Sequence, residues 1–284
     1  MKAFRKTVYT EENKVFEESL FAVGNGYLGV RGAFEEGYPS GESIRGSYIN
    51  GLYDRVGMVH AEMAYGFPTE QDKQPRIMDT QTCEVWADGE RVQLIEGRYA
   101  HYERYIDYVN GYTLRRYQFT HSNGKPVEVS FKRLASFQWT NVCLYEIDVT
   151  YDGEIELKSM LDTDVENYTN PKDPRTGQGH SKLMVLDKIG VDKHAVYAQM
   201  HTQTSGLTQA TWVEHISNNG RIEHRTAQSL VRTLIKGEKF VSLKKIVVFT
   251  DSLRSSSPLS EAKALASQLK VEELYKRQKS LLKS

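Results

Sequence analysis

The sequence has 284 residues with 37 basic and 37 acidic side chains, so its formal net charge is zero. This balance argues against nucleic-acid binding and attachment to a charged membrane surface, and no apolar run approaches the roughly 20 residues that span a bilayer. Cys83 and Cys143 lack metal-site spacing, and the N-terminus lacks the apolar core of a signal peptide. These features predict a cytoplasmic protein with free thiols.

The first distinctive motif is GNGYLGVRG at residues 24–32, with four glycines. Its first six residues match the G-x-G-x-x-G pattern of dinucleotide-binding loops, which must open a helix. The residues that follow include Gly37, Pro39, Gly41 and Gly46. Each interior glycine costs a helix about 1 kcal/mol and each proline about 3 kcal/mol. The motif is therefore interpreted as a tight structural turn.

Residues 33–80 have no sustained hydrophobic period, which predicts long loops with short strands. Loops of this length in a compact domain are often functional or interfacial. Arg55, His60, Tyr65 and Phe67 lie in this region and combine charged with aromatic side chains. They are the candidate residues for a functional surface.

From about residue 80 the sequence alternates between apolar and polar residues, as at Val127, Val129 and Phe131. Four turn dipeptides separate such runs, and each predicts a hairpin. They are Asp88-Gly89, Asn123-Gly124, Asp152-Gly153 and Asn219-Gly220. A late strand, EKFVSLKKIVVFTD, closes the series. The pattern predicts a mainly β domain, a large antiparallel sandwich.

Acidic residues cluster at 17–19, 34–37 and 161–167, and adjacent acids are expected to point to different faces. If this segment is extended, Asp162, Asp164 and Glu166 share a face and could form a cation site. A solvated turn is the favoured interpretation.

The eight histidines show no zinc motif, so no metal site is predicted. His201 and His215 fall in predicted strands and could line one concave face. Tyrosines at 99, 102, 105 and 108 suit a sugar platform, but a segment crossing the edge of the sandwich is favoured.

The C-terminal residues 256–284 predict a helix or helix pair. Ser257 is a candidate N-cap, and Pro258 suits the first helical position. An apolar stripe follows at helical spacing. The stripe on the final helix is expected to be exposed in this chain and to cause some self-association.

Several segments, taken together, resemble glycoside hydrolase family 65, the maltose, trehalose and kojibiose phosphorylases and their relatives. They are ENKVFEESLFAVGNGYLGVRGAFEEG, SYINGLYD, RYIDYVNGYTLRRYQF, YDGEIELKSMLDTDVENY and KKIVVFTDS. They occur in the family's order and cover nearly the whole chain. Tyr108 and Val109 depart from the pattern, because the family usually has a Met-Arg pair there.

The resemblance implies a β-supersandwich of the galactose-mutarotase type over residues 1–255 and a linker helix over 256–284. In the family an (α/α)6 barrel follows, and it contains the general acid and the phosphate-binding loops. The chain is therefore expected to be an excised N-terminal domain, without catalytic residues, cofactor or metal.

The parent enzyme would cleave an α-glucoside disaccharide, such as maltose or trehalose, with inversion and would use inorganic phosphate as co-substrate. The expected partners are the barrel of the same polypeptide and a second subunit in a homodimer. Arg55, His60, Tyr65 and Phe67 would then frame the substrate mouth or a dimer contact. Two alternatives are a stand-alone carbohydrate-binding domain and a mutarotase-like enzyme with a histidine acid and a carboxylate base.

Overall fold

The computed structural model describes residues 3–58, 64–169 and 181–283. The N-terminal elements are β1 (Ala3–Lys6), a 3-10 helix (Glu11–Asn13), α1 (Lys14–Leu20), β2 (Val23–Gly24), β3 (Leu28–Val30), β4 (Ser47–Ile49), β5 (Asp54–Gly57) and β6 (Glu70–Lys73). The central strands are β7 (Cys83–Ala87), β8 (Glu90–Val92), β9 (Tyr99–Asp107), β10 (Tyr112–Thr120), β11 (Pro126–Ala135) and β12 (Val142–Asp162). The remaining elements are β13 (Met184–Asp192), β14 (Ala195–Thr202), β15 (Thr208–Ser217), β16 (Arg221–Thr226), β17 (Leu230–Asp251), α2 (Pro258–Ala266) and α3 (Val271–Leu281).

The two longest of these strands, β12 and β17, pair with each other and connect the two layers of the sandwich. The main layer has the order β1-β9-β10-β11-β12-β17-β15-β14-β13. Beyond residue 154, β12 pairs with β7 on one side and with the first half of β17 on the other, and β16 pairs with that half of β17. The second half of β12 and the first half of β17 therefore form a smaller layer with β7, β8 and β16. The fold is the large antiparallel sandwich that the sequence predicts.

The predicted hairpin at Asp152-Gly153 is wrong, because this dipeptide lies inside β12. The ladder with β17 shifts register between Tyr151 and Glu154, and Lys239 on the facing strand has a positive φ of 64°. The carboxylate of Asp88 accepts hydrogen bonds from the Tyr151 hydroxyl (2.7 Å) and from the Glu154 amide (2.8 Å). The dipeptide therefore forms a bulge that bends one strand between layers.

The other three turn dipeptides divide into two outcomes. Asp88-Gly89 joins β7 to β8, and Asn123-Gly124 joins β10 to β11, as predicted. Asn219-Gly220 joins β15 to β16, but these strands pair with different parts of β17 and not with each other. The hairpin prediction for Asn219-Gly220 is therefore wrong.

Apolar side chains of the sandwich form two buried clusters, one between the two layers and one between the main layer and the separate three-stranded sheet β2-β3-β4. One contains Phe119, Val127 and Phe131 of the main layer together with Val85 and Leu157 of the smaller layer. The other lies between β3, β4 and the central strands of the main layer. Full burial of each such side chain contributes about 1.5–3 kcal/mol.

The helices α2 and α3 pack on the outer face of the main layer. Ala262 and Leu274 contact a third apolar cluster, to which β11, β12 and β17 contribute Leu134, Leu144 and Val248. The predicted apolar stripe is therefore buried at Ala262, Ala266 and Leu274, whereas Leu281 and Leu282 at its end are 43% and 38% exposed. No helix in the described ranges is long and apolar enough to cross a membrane.

The glycine-rich motif forms the β2–β3 connection, as the turn interpretation predicts. Gly26 has a φ of 89°, and the side chain of Asn25 accepts a hydrogen bond from the Leu28 amide (2.9 Å). The Asn25 amide group also donates to the Ser136 carbonyl (2.6 Å). The motif therefore closes a turn and ties it to the main layer.

Candidate functional site

The region that contains the predicted site residues forms a separate two-stranded hairpin, β5–β6. Asp54 pairs with Lys73 and Gly57 pairs with Glu70. The ladder continues one step further, because the Met58 amide donates to the Thr69 carbonyl (2.8 Å). Short strands joined by loops are what the sequence predicts for residues 33–80.

The base of the hairpin is anchored to the connection between β14 and β15. The buried carboxylate of Asp54 accepts hydrogen bonds from the backbone amides of Thr204 (3.0 Å) and Ser205 (2.7 Å). The Arg55 amide donates to the Ser205 hydroxyl (3.2 Å). These bonds fix the direction in which the hairpin leaves the sandwich.

The hairpin presents aromatic side chains to solvent. Tyr65 is fully exposed and Phe67 is 47% exposed. Arg55 lies further back on β5, where its guanidinium contacts Asp72 (3.3 Å) and Glu70 (3.9 Å). His60 lies outside the described residues. The exposed aromatics suit a contact surface better than they suit catalysis.

Sequence reasoning missed a buried ion-pair cluster beside the first core. Arg115 binds Glu36 through both terminal nitrogens (2.6 and 2.5 Å) and contacts Glu35 at 3.1 Å. Arg133 binds the other oxygen of Glu35 (2.5 Å), and the Tyr117 hydroxyl donates to Glu36 (2.9 Å). The expectation that adjacent acids point to different faces is wrong here, since both carboxylates meet Arg115.

The cluster stabilises the fold and is poorly suited to proton transfer. Burial alone would raise the pKa of Glu35, but the charges of Arg133 and Arg115 outweigh it and lower this pKa to about 2. Glu35 therefore stays ionised at neutral pH. The sequence shows Glu35 and Glu36 as adjacent acids but carries no signal for their partners, because Arg115 and Arg133 lie far away along the chain.

The two histidines expected to share a concave face lie on opposite faces of the main layer. His215 is buried with its ring 3.0 Å from the Ser159 hydroxyl, whereas His201 is partly exposed and contacts Asp187 (2.5 Å). Burial, with the neighbouring charge of Lys245 and then His224, lowers the pKa of His215 well below 6.5. His215 is therefore neutral at pH 7.

The acidic run after β12 is organised by local contacts. Asp162 accepts a hydrogen bond from the Asp164 amide (2.9 Å), and Asp164 pairs with Lys182 (2.5 Å). In the part of the chain that the structure describes, no three histidine, cysteine or acidic side chains are grouped so that they could hold a metal ion.

Comparison with known proteins gives a consistent family assignment. The family described as "Glycosyl hydrolase family 65, N-terminal domain" matches residues 4–284. An α,α-trehalose phosphorylase of Geobacillus stearothermophilus is 35% identical over 252 residues, which cover 86% of this chain and 33% of that protein. A maltose phosphorylase of Bacillus subtilis is 28% identical over 92% of this chain and 35% of its own length.

The fold comparison agrees with the sequence comparison. A solved structure described as "Putative kojibiose phosphorylase from human microbiome" superposes with a TM-score of 0.83 at 17% identity, covering 99% of this chain and 37% of that one. The chain spans about one third of the length of the curated relatives named here. Because the family match extends over almost every residue, the chain belongs to glycoside hydrolase family 65, as its N-terminal domain.

Proposed function

We propose that this chain is the non-catalytic N-terminal domain of an inverting phosphorylase that cleaves α-glucoside disaccharides with inorganic phosphate. The family match over residues 4–284 carries this proposal, and the names of the trehalose, kojibiose and maltose phosphorylase relatives support it. The trehalose phosphorylase relative at 35% identity makes α,α-trehalose the first substrate to test. A cytoplasmic location fits the two buried free thiols.

Phosphorolysis with inversion needs a carboxylic acid that protonates the leaving oxygen while phosphate attacks the opposite face of the sugar. Glu35 and Glu36 are a pair of buried carboxylates, and both are held in ion pairs with arginine. This arrangement supports placing the catalytic acid in another domain of the same polypeptide.

The hairpin β5–β6 is our candidate contact with that catalytic domain, where it would frame the substrate mouth, or with a second subunit in a homodimer. Two properties support this role. Its base is fixed by Asp54, and Tyr65 and Phe67 offer aromatic surface of the kind that dominates protein contacts.

The function is tested by a proton NMR time course that follows anomeric signals with trehalose, maltose or kojibiose, phosphate and fresh α-glucose. We expect the full-length protein to form β-glucose 1-phosphate and the 284-residue chain to form none. Turnover by the isolated chain would contradict the proposal, and accelerated anomerisation of glucose would favour a mutarotase-like enzyme. Binding of disaccharide without turnover by the isolated chain would favour the carbohydrate-binding alternative.

The hairpin is tested separately in the full-length protein by replacing Tyr65 and Phe67 with serine. Loss of an aromatic contact should raise the KM for the disaccharide about fivefold or weaken the dimer by a similar factor. The matched control is Phe16→Ser, which removes a 65% exposed aromatic side chain from α1. If KM and oligomeric state match those of the control, the hairpin has no such role.

A further inference from the structure

The outer face of the smaller layer contains a groove of 550 Å³ that the proposed function does not use. Its walls come from β7, the second half of β12, the first half of β17 and β16. Its lining combines charged side chains with the apolar side chains of Met160, Leu230 and Leu234.

The carboxylates of the groove are already engaged by neighbouring groups. Glu156 pairs with Lys158 (3.1 Å) and Lys236 (2.5 Å). Glu84 accepts a hydrogen bond from the indole of Trp86 (3.0 Å) and pairs with Arg91 (3.4 Å). Neither carboxylate is left over to neutralise another cation.

Two arginines in the same groove lack a carboxylate partner in the part of the chain that the structure describes. Arg225 on β16 stands directly opposite Arg232 on β17 in the antiparallel ladder. Glu223, two residues before Arg225, pairs instead with Arg221 (3.2 Å). Among the described residues, neither Arg225 nor Arg232 makes an ion pair, and like charges directly opposite each other destabilise a sheet.

The strand ends that hold these arginines are joined by a short, anchored turn. The Ala227 amide donates to the Leu230 carbonyl (2.8 Å), which closes a two-residue connection. The carbonyl of Ser229 accepts hydrogen bonds from the amide (2.9 Å) and the hydroxyl (2.8 Å) of Thr163 at the end of β12. The backbone positions of Arg225 and Arg232 are therefore set before any ligand arrives, which lowers the entropic cost of binding.

We propose that Arg225 and Arg232 form a binding site for a phosphate group, either as inorganic phosphate or as a sugar phosphate. Each guanidinium offers a planar pair of donors that matches phosphate oxygens, and a dianion between them removes the repulsion between the two cations. Met160, Leu230 and Leu234 provide an apolar floor against which the C–H face of a sugar can pack. This site lies outside the β5–β6 hairpin and does not depend on the proposed function.

The test is calorimetric titration of the 284-residue chain with inorganic phosphate and, separately, with glucose 1-phosphate, in chloride buffer. Arg225→Gln and Arg232→Gln should each weaken binding about tenfold, since each removes charge-assisted hydrogen bonds. The control is Arg221→Gln, which removes the same charge from the same strand but outside the groove lining.

The two ligands distinguish the source of the phosphate group. Equal affinities mean that the site recognises phosphate alone, and tighter binding of glucose 1-phosphate means that the apolar floor contacts the sugar. Absence of saturable binding at millimolar ligand overturns the proposal, as does an equal loss in Arg221→Gln, which would indicate only general attraction to positive charge.

A second readout separates binding from folding. Without phosphate, Arg225→Gln should leave Tm unchanged or higher, because a like-charge pair is removed. With phosphate, Tm should rise in the wild-type chain and should rise less in the variant at the same phosphate concentration. A phosphate-dependent rise of equal size in both proteins contradicts the site.

Discussion

Arg115 joins two carboxylates that are adjacent in sequence. The central carbon of its guanidinium also lies 3.9 Å from the ring centroid of Phe34 and 4.2 Å from that of Phe131. The ring faces and carboxylates together replace the water that the buried charge has lost. At the scale of single residues, the buried charge of Arg115 is held in the fold by several partners. Removing one partner leaves the others unpaired in the core.

Glu35 should make the domain sensitive to acid. Its pKa is about 2 in the folded state against the usual 4.5, so its stabilisation is present above pH 4.5 and is lost as pH falls from 4.5 toward 2. The loss is about 3 kcal/mol for this group. Urea unfolding of wild type and Glu35→Gln across this pH range should show a flatter curve for the variant.

The exposed Glu12 provides a control for the acid prediction, because Glu12→Gln should keep the wild-type dependence on pH. Parallel curves for wild type and Glu35→Gln would show that the Glu35 ion pairs contribute nothing to acid sensitivity.

Gly32 should not tolerate a side chain. A Cβ at this position would lie 2.6 Å from the Phe21 carbonyl oxygen and 2.9 Å from the guanidinium of Arg104. Because the nearest obstacle is backbone, Gly32→Ala should lower the free energy of unfolding by about 2 kcal/mol or more. A Cβ at Gly29 in the same motif meets nothing within 4 Å. Gly29→Ala should therefore change the free energy of unfolding by less than about 1 kcal/mol. Equal unfolding midpoints for the two variants would refute the close approach.

At the scale of elements, identical dipeptides have different outcomes. Asp88-Gly89 closes the β7–β8 hairpin, whereas Asp152-Gly153 bends β12, and Asp88 itself contacts the residues around that bend. A turn dipeptide therefore marks a local change of direction. Whether the chain reverses or only bends depends on the strands that pair on each side, here β11 before the bend and β7 after it.

The helix α3 should behave as part of the domain. Leu274 is fully buried between α3 and the main layer, so Leu274→Ala should lower the free energy of unfolding by about 2–5 kcal/mol. Leu282→Ala, at a 38% exposed position just after α3, should cost less than about 1 kcal/mol. Urea denaturation of both variants tests this difference, and a neutral Leu274→Ala would mean that α3 is not docked.

At the scale of the whole molecule, β12 and β17 contribute residues to both layers, so neither layer has a complete set of strands without the other. The connection between β15 and β16 also passes from one layer to the other. Separate unfolding of the layers would have to break the β12–β17 ladder in its middle. The domain should therefore unfold as one cooperative unit.

Cooperative unfolding can be measured with two natural probes, Trp86 in the smaller layer and Trp212 on the main layer beneath α2. Trp139 is the third tryptophan of the chain, so each variant also replaces Trp139 and retains only Trp86 or only Trp212. Each variant should show the same denaturant dependence by fluorescence and by far-UV circular dichroism. The fluorescence and circular dichroism midpoints are compared within each variant, because each substitution itself shifts the midpoint of unfolding. A fluorescence midpoint that differs from the circular dichroism midpoint of the same variant would reveal independent layers.

The sequence by itself determined the class of fold, the family and most strand positions, because alternation, turn dipeptides and family motifs are local signals. The glycine motif could also be interpreted from sequence, since helix formation after it is locally unfavourable. Tertiary structure decided which strands pair, that one bend replaces a hairpin at Asp152-Gly153, and that Glu35 and Glu36 meet Arg115. In this ion-pair cluster the contacts join residues up to 98 positions apart in the sequence. Their energies depend on burial and neighbouring charge, which only the folded chain creates.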